Sequence, residues 1–95
     1  MKTLKTEFEA SGFHHRQLFR TGDVAIYERW KAQQRPHYEV VKIGSHNGYE
    51  LAGNHIEAAE TYPSAEQFGS RAWTYNDKQA ALRRFNELAR NQVAK

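Results

Sequence analysis

The stretch NDKQAALRRFNELARNQV, residues 76–93, decides the fold. At 100° per residue, Leu88, Ala81, Gln92, Phe85, Ala89, Leu82 and Val93 fall within one arc of about 140°, interrupted only by Gln92. Asn76 followed three residues later by Gln79 is a capping-box pattern, so a helix is expected over 77–93. Its apolar face needs a partner, and only the aromatic, alternating segments before it can supply one.

Working outward, the shortest step back is Ala72-Trp73-Thr74-Tyr75, a short aromatic strand. Val24 to Trp30 is the most strand-like run, with Val24, Ile26 and Trp30 opposing Ala25, Tyr27 and Arg29. Tyr38 to Ile43 is rich in β-branched residues and also reads as a strand. Residues 2–9 alternate, with Leu4, Thr6 and Phe8 on one face and Lys5, Glu7 and Glu9 on the other. From Phe13 to Arg20, the residues Phe13, His15, Gln17 and Phe19 share one side against Leu18. Ser11-Gly12, Thr21-Gly22-Asp23 and Gln33-Gln34-Arg35-Pro36 separate these runs as turns or connections.

The middle reads less clearly. Asn47-Gly48 is the strongest short hairpin signal, with a plain loop as the other reading. Residues 50–62 are either extended or one weak helical turn after Asn54, and the extended reading is preferred. Pro63-Ser64-Ala65-Glu66-Gln67 resembles a helix start that Gly69 ends at once. The expectation is an α+β single domain over residues 1–95: an antiparallel sheet of four to five strands with one C-terminal helix packed on one face.

A chain of 95 residues is near the lower limit for a single apolar core. Twelve of its residues are Phe, Tyr or Trp, so a few large rings must supply most of that core. Cysteine is absent, which excludes disulfides, cysteine zinc sites, iron–sulfur clusters and a thiol nucleophile. No stretch approaches the roughly 18 apolar residues of a membrane span, and the N-terminus is charged where a signal peptide needs an apolar run. A cytoplasmic location without membrane association is expected.

Catalytic and metal motifs are sparse. None of the serines lies in Gly-x-Ser-x-Gly, and no phosphate-binding glycine loop is complete. His14 and His15 are adjacent and would face opposite sides of a strand. His46 and His55 bracket a loop with Glu50 and Asn54, yet no ligand spacing supports a metal site. The expectation is no enzyme activity, no cofactor and no metal.

Charge placement says more than the net charge of +3. Residues 1–48 carry +3, residues 49–75 carry −3, and residues 76–95 carry +3. Arg16, Arg20, Arg29, Lys31 and Arg35 form the best basic cluster and, with Tyr27 and Trp30 nearby, the best nucleic-acid candidate. A solvated sheet face is the competing reading. Tyr62, Phe68, Trp73 and Tyr75 concentrate rings mostly needed by the core, and any ring left outside would anchor an interface.

The stretch YPSAEQFGSRAWTYNDKQAALRRFNEL, with Gly22-Asp23-Val24-Ala25 and Tyr38-Glu39-Val40-Val41, is similar to small bacterial and phage accessory proteins of unassigned function. That resemblance implies a mobile-element or accessory role and supplies no active site. Phe68-Gly69-Ser70-Arg71, followed by Ala81 and Phe85 on a helix, also resembles the WGR domain, a DNA-binding sheet-plus-helix module. The Trp of that signature is replaced here, and its Arg is displaced by one residue.

These readings converge on a small non-catalytic binder of a protein or nucleoprotein partner. An inhibitor of a host defence protein, of the anti-CRISPR kind, is the subclass suggested. Trp30, Tyr49, Tyr62 and Arg71 are the candidate contacts. The alternative is a WGR-like nucleic-acid-binding module using Arg16, Arg20, Arg29, Lys31 and Arg35.

Overall fold

A computed structural model describes residues 1–93, with side-chain environments up to residue 91. Among the described residues, nine strands, one 3-10 turn and one helix follow in order: β1 (Glu7–Ala10), β2 (Phe13–Thr21), β3 (Val24–Trp30), β4 (His37–Lys42), β5 (Gly44–His46), β6 (Tyr49–Leu51), β7 (Asn54–Ile56), β8 (Ala59–Thr61), the turn Ala65–Gln67, β9 (Ala72–Tyr75) and α1 (Lys78–Val93). The main sheet is antiparallel in the order β1-β2-β3-β4-β9. With the single C-terminal helix laid across it, the protein is α+β.

Strand alternation sorts the side chains into two layers. On one face, Val24, Ile26 and Val40 meet Ala81 and Phe85 of α1, with Leu82 and Leu88 beside them. On the other, Ala25, Tyr27 and Val41 are joined by Ile43 and Ala72 and covered by Leu4, Phe8, Tyr62 and Phe68. The first face is closed by a helix and the second by Phe8 of β1 together with chain outside the main sheet. Among the described residues, no helix is long and apolar enough to cross a membrane.

The helical arc is realised at Ala81, Leu82, Phe85 and Leu88. Ala89 of the same arc is partly buried, and the side chains of Gln92 and Val93 lie outside the described residues. The cap lies one residue later than expected. Asp77, not Asn76, accepts the Gln79 backbone N–H at 3.3 Å, and α1 opens at Lys78. An Asp carboxylate at this position also carries the charge that a helix N-terminus favours.

Three further expectations are corrected. Residues 2–9 do not form one strand, because pairing with β2 begins only at Glu7. Before it, Lys2 bridges Ala59 while Leu4 packs over the sheet face away from the helix. Phe19 does not share a side with His15 and Gln17. A bulge between Gln17 and Phe19 shifts the register so that Phe19 pairs with Ile26 and its ring lies 6.3 Å from Phe85.

Asn47-Gly48 is not a hairpin turn. Residues 44–61 form a long two-part ribbon, β5 with β8 and then β6 with β7. Its tip is Ala52-Gly53, both at positive φ (51° and 80°), the pattern of a type I′ turn. Gly48 is instead a crossing point between the two parts, since a Cβ there would lie 3.1 Å from the Ile56 carbonyl oxygen. The preferred extended reading of residues 50–62 agrees with strands β6, β7 and β8.

Candidate functional site

The sheet face away from α1 carries a row of polar side chains. His15 pairs with Arg29 across β2 and β3, Tyr27 pairs with Glu39 across β3 and β4, and Glu39 pairs with Thr74 across β4 and β9. Glu39 is 3% exposed, in phase with the buried face of an apolar strand. A carboxylate in that position requires partners. Its Oε1 accepts the Tyr62 hydroxyl at 2.6 Å, and its Oε2 accepts from Arg29 Nη1 at 3.3 Å.

The surrounding groups hold that pair in place. Arg29 lies with its guanidinium carbon 3.8 Å from the centre of the Phe13 ring. Tyr62 meets Phe8 and Tyr27 edge to face at 5.4 and 5.1 Å. Burial, reinforced by the Glu39 charge, pushes the Tyr62 hydroxyl well above the ordinary tyrosine range, so it remains a donor. His15 is stacked on Phe8 at 4.6 Å, and its Nε2 is 3.8 Å from Glu39 Oε1, beyond hydrogen-bond range. Burial lowers the His15 pKa despite the Glu39 charge, which keeps the ring neutral at pH 7. Its Nδ1 is buried without a hydrogen-bond partner.

Beside this cluster is an open cavity of about 350 Å³. His15, Arg29, Glu39 and Thr74 of the sheet line its floor. Tyr62, Pro63, Ala65 and Phe68 line one wall, and Ala10 at the end of β1 with Ser11 of the β1–β2 turn line the other. Its size is at the small end of the range of ligand pockets.

The second feature is the β5–β8, β6–β7 ribbon, a projecting arm. Its base is pinned to the body by Glu60, which takes Arg20 in a two-pronged ion pair at 2.8 and 2.7 Å. The same carboxylate accepts the Leu4 backbone N–H at 2.9 Å. The Arg20 guanidinium, followed by the Leu4 N–H, lowers Glu60 to a pKa of about 2. Beyond the base, every residue of β6 is exposed. Tyr49 pairs with Ile56, and Leu51 with Asn54, so Tyr49, Leu51 and Ile56 share one face of the tip. The opposite face carries Glu50 and His55, 3.0 Å apart.

The structure separates the candidate contacts. Tyr49 is exposed at the arm tip. Trp30 is half-buried on the helix side of the sheet, with His14 stacked on it at 5.3 Å and Arg16 at 5.6 Å. Tyr62 is not an exposed anchor, because core packing and Glu39 both hold it. Arg71 turns toward the Lys42 and Ile43 carbonyl oxygens, at 3.5 Å each.

The expected basic cluster is also divided. Arg16 pairs with Glu28 at 2.8 Å, Arg20 with Glu60 and Arg29 with Glu39. Lys31 and Arg35 are both exposed in the β3–β4 connection. Arg16 lies on the helix side of the sheet, whereas Arg20 and Arg29 lie on the other. Among the described residues, no group of three or more His, Cys, Asp or Glu side chains is placed to hold a metal.

Sequence reasoning passed over Glu39 and the cavity. The signal available was an acid sharing a strand face with Val41 in the run Tyr38-Glu39-Val40-Val41. Nothing local could mark the cavity, whose lining residues come from five separate parts of the chain. No family model matches the chain, and neither a curated protein nor a solved structure matches it.

Proposed function

We propose that the protein binds another protein without chemistry of its own, using the projecting arm as its principal contact. The observation that carries this reading is the solvent-facing apolar side of the arm tip. Tyr49 and Leu51 are 47% and 60% exposed there, and Ile56 stands beside them. Alternation normally buries such a face, so its exposure marks an interaction surface. Tyrosine anchors of this kind contribute strongly to interfaces.

Charge narrows the partner. Residues 44–61 contain Glu50, Glu57 and Glu60 and no Lys or Arg. Glu60 is spent on Arg20, which leaves an acidic and apolar tip. A protein surface with an apolar seat bordered by basic residues complements it. Pairing of Arg16, Arg20 and Arg29 with acids removes much of the basic footprint that a nucleic-acid module would need. Inhibition of a host defence protein, in the anti-CRISPR manner, is the finer form of this proposal, because occluding a partner's surface requires adhesion alone.

The experiment compares the wild-type chain with Tyr49→Ala/Leu51→Asp as bait in nuclease-treated extract of the native host. A protein retained by the first and lost by the second, and bound at least tenfold more weakly by the variant once purified, is the expected result. Equal retention by both folded baits overturns the reading.

A further inference from the structure

The cavity beside Glu39 has one charged group still available for a ligand, and it is a cation. Both oxygens of Glu39 already accept hydrogen bonds, and the residue is 3% exposed. Arg29 differs on each count. Its side chain is 28% exposed, it lines the cavity, and Nη1 alone among its nitrogens is bonded to Glu39. An arginine carries five N–H donors. Stacking on Phe13 and the bond to Glu39 hold the guanidinium plane, so its other donors are presented with little entropy left to lose.

Local charge agrees with this. Lys31 Nζ lies 5.6 Å from the centre of the same Phe13 ring. Arg29 and Glu39 are the charged pair of the cavity, and Lys31 brings a second positive charge to the ring on which Arg29 stacks. The Thr74 and Ser11 hydroxyls add two groups able to donate. The walls formed by Pro63, Ala65 and Phe68 offer apolar surface to the rest of a ligand.

We infer that this cavity binds a small organic acid: one carboxylate paired with Arg29, joined to an apolar body about the size of a single ring. An amine would find its natural acceptor, Glu39, already occupied. A second carboxylate on the ligand would be repelled by Glu39. A bare carboxylate would leave the apolar walls unused. The cavity shares no lining residue with the arm.

Benzoate is the probe, with benzamide as its neutral isostere, acetate as the carboxylate without a ring, and benzylamine as the cation. Each is titrated into the isotopically labelled full chain, and backbone amide shifts are followed. Benzoate is expected to give saturable shifts centred on Ser11, Arg29, Phe68 and Thr74. Benzamide and acetate should bind at least tenfold more weakly, and benzylamine should leave these amides unmoved.

Two variants test the assignment. Arg29→Lys keeps the charge that Glu39 needs but loses the two-pronged fork, and should weaken benzoate several-fold. Ala65→Trp, at an exposed residue of the 3-10 turn, fills the cavity without touching the polar cluster and should abolish binding. Benzamide binding as tightly as benzoate, shifts centred elsewhere, no saturable response to benzoate, or full affinity in either variant overturns the inference.

Discussion

The Tyr62 hydroxyl donates to Glu39 Oε1 at 2.6 Å, and this bond ties the chain returning from the arm to β4. Tyr62 therefore has two tasks. Its ring covers the apolar floor, and its oxygen satisfies a carboxylate that the fold has buried.

Tyr62→Phe keeps the first task and removes the second. Loss of a donor to a buried charged acceptor should cost about 1–3 kcal/mol, read as a lower urea midpoint with unchanged slope. The same change in a Glu39→Gln background should cost less, because the acceptor is then neutral. Equal costs in the two backgrounds would show that the hydroxyl does not depend on the Glu39 charge, and no cost in either that the ring alone matters.

The Arg20–Glu60 pair predicts a particular acid response. Glu60 is lowered from 4.5 to about 2 in the folded chain, so its contribution is fully present above about pH 4.5. It is lost as the pH falls through about 2. Glu60→Gln should be less stable than wild type at pH 7, by roughly 1 kcal/mol for a partly exposed pair of good geometry. Melting temperatures of the two proteins should converge between pH 4.5 and 2, and a constant gap across that range would contradict the assignment.

Ala52 occupies left-handed backbone at φ 51° without the freedom of glycine. Asn tolerates that region better, so Ala52→Asn should stabilise the tip by up to about 1 kcal/mol. Amide exchange should slow within residues 49–56, while the global melting temperature stays put because the tip opens on its own.

Capping offers a direct contrast between neighbours. Asp77→Ala should destabilise the chain by about 1 kcal/mol, and Asn76→Ala by a few tenths at most. Chemical denaturation of both variants checks the position of the cap, and a larger loss at Asn76 would place it one residue earlier.

Legibility followed the range of the interactions. β3 and β9 match their expected limits because alternation over Val24–Trp30 and Ala72–Tyr75 is a local property. The helix face was readable for the same reason, since Ala81, Phe85 and Leu88 repeat at helical spacing. Phe19 misled because a bulge inverts the alternation after it, and no residue type announces a bulge. Asn47-Gly48 misled because Gly48 serves a close backbone crossing, a need that local turn chemistry cannot distinguish from a hairpin. The basic cluster dissolved once strand facing and long-range acids were known. Glu60 is 40 residues from Arg20 in sequence.

The route between β4 and β9 has a thermodynamic consequence. Residues 43–71 leave the sheet as one continuous excursion and return beside the strand they left. Loop-closure entropy grows only logarithmically with length, so removing residues 49–56 and rejoining the ribbon above Gly48 would change it by only about 0.3 kcal/mol. The body does not depend on the tip's length for its own folding. Evolution can therefore lengthen, shorten or rewrite the tip while leaving the sheet, the helix and the Glu39 cluster intact, which makes the arm a separately adjustable module on a fixed scaffold.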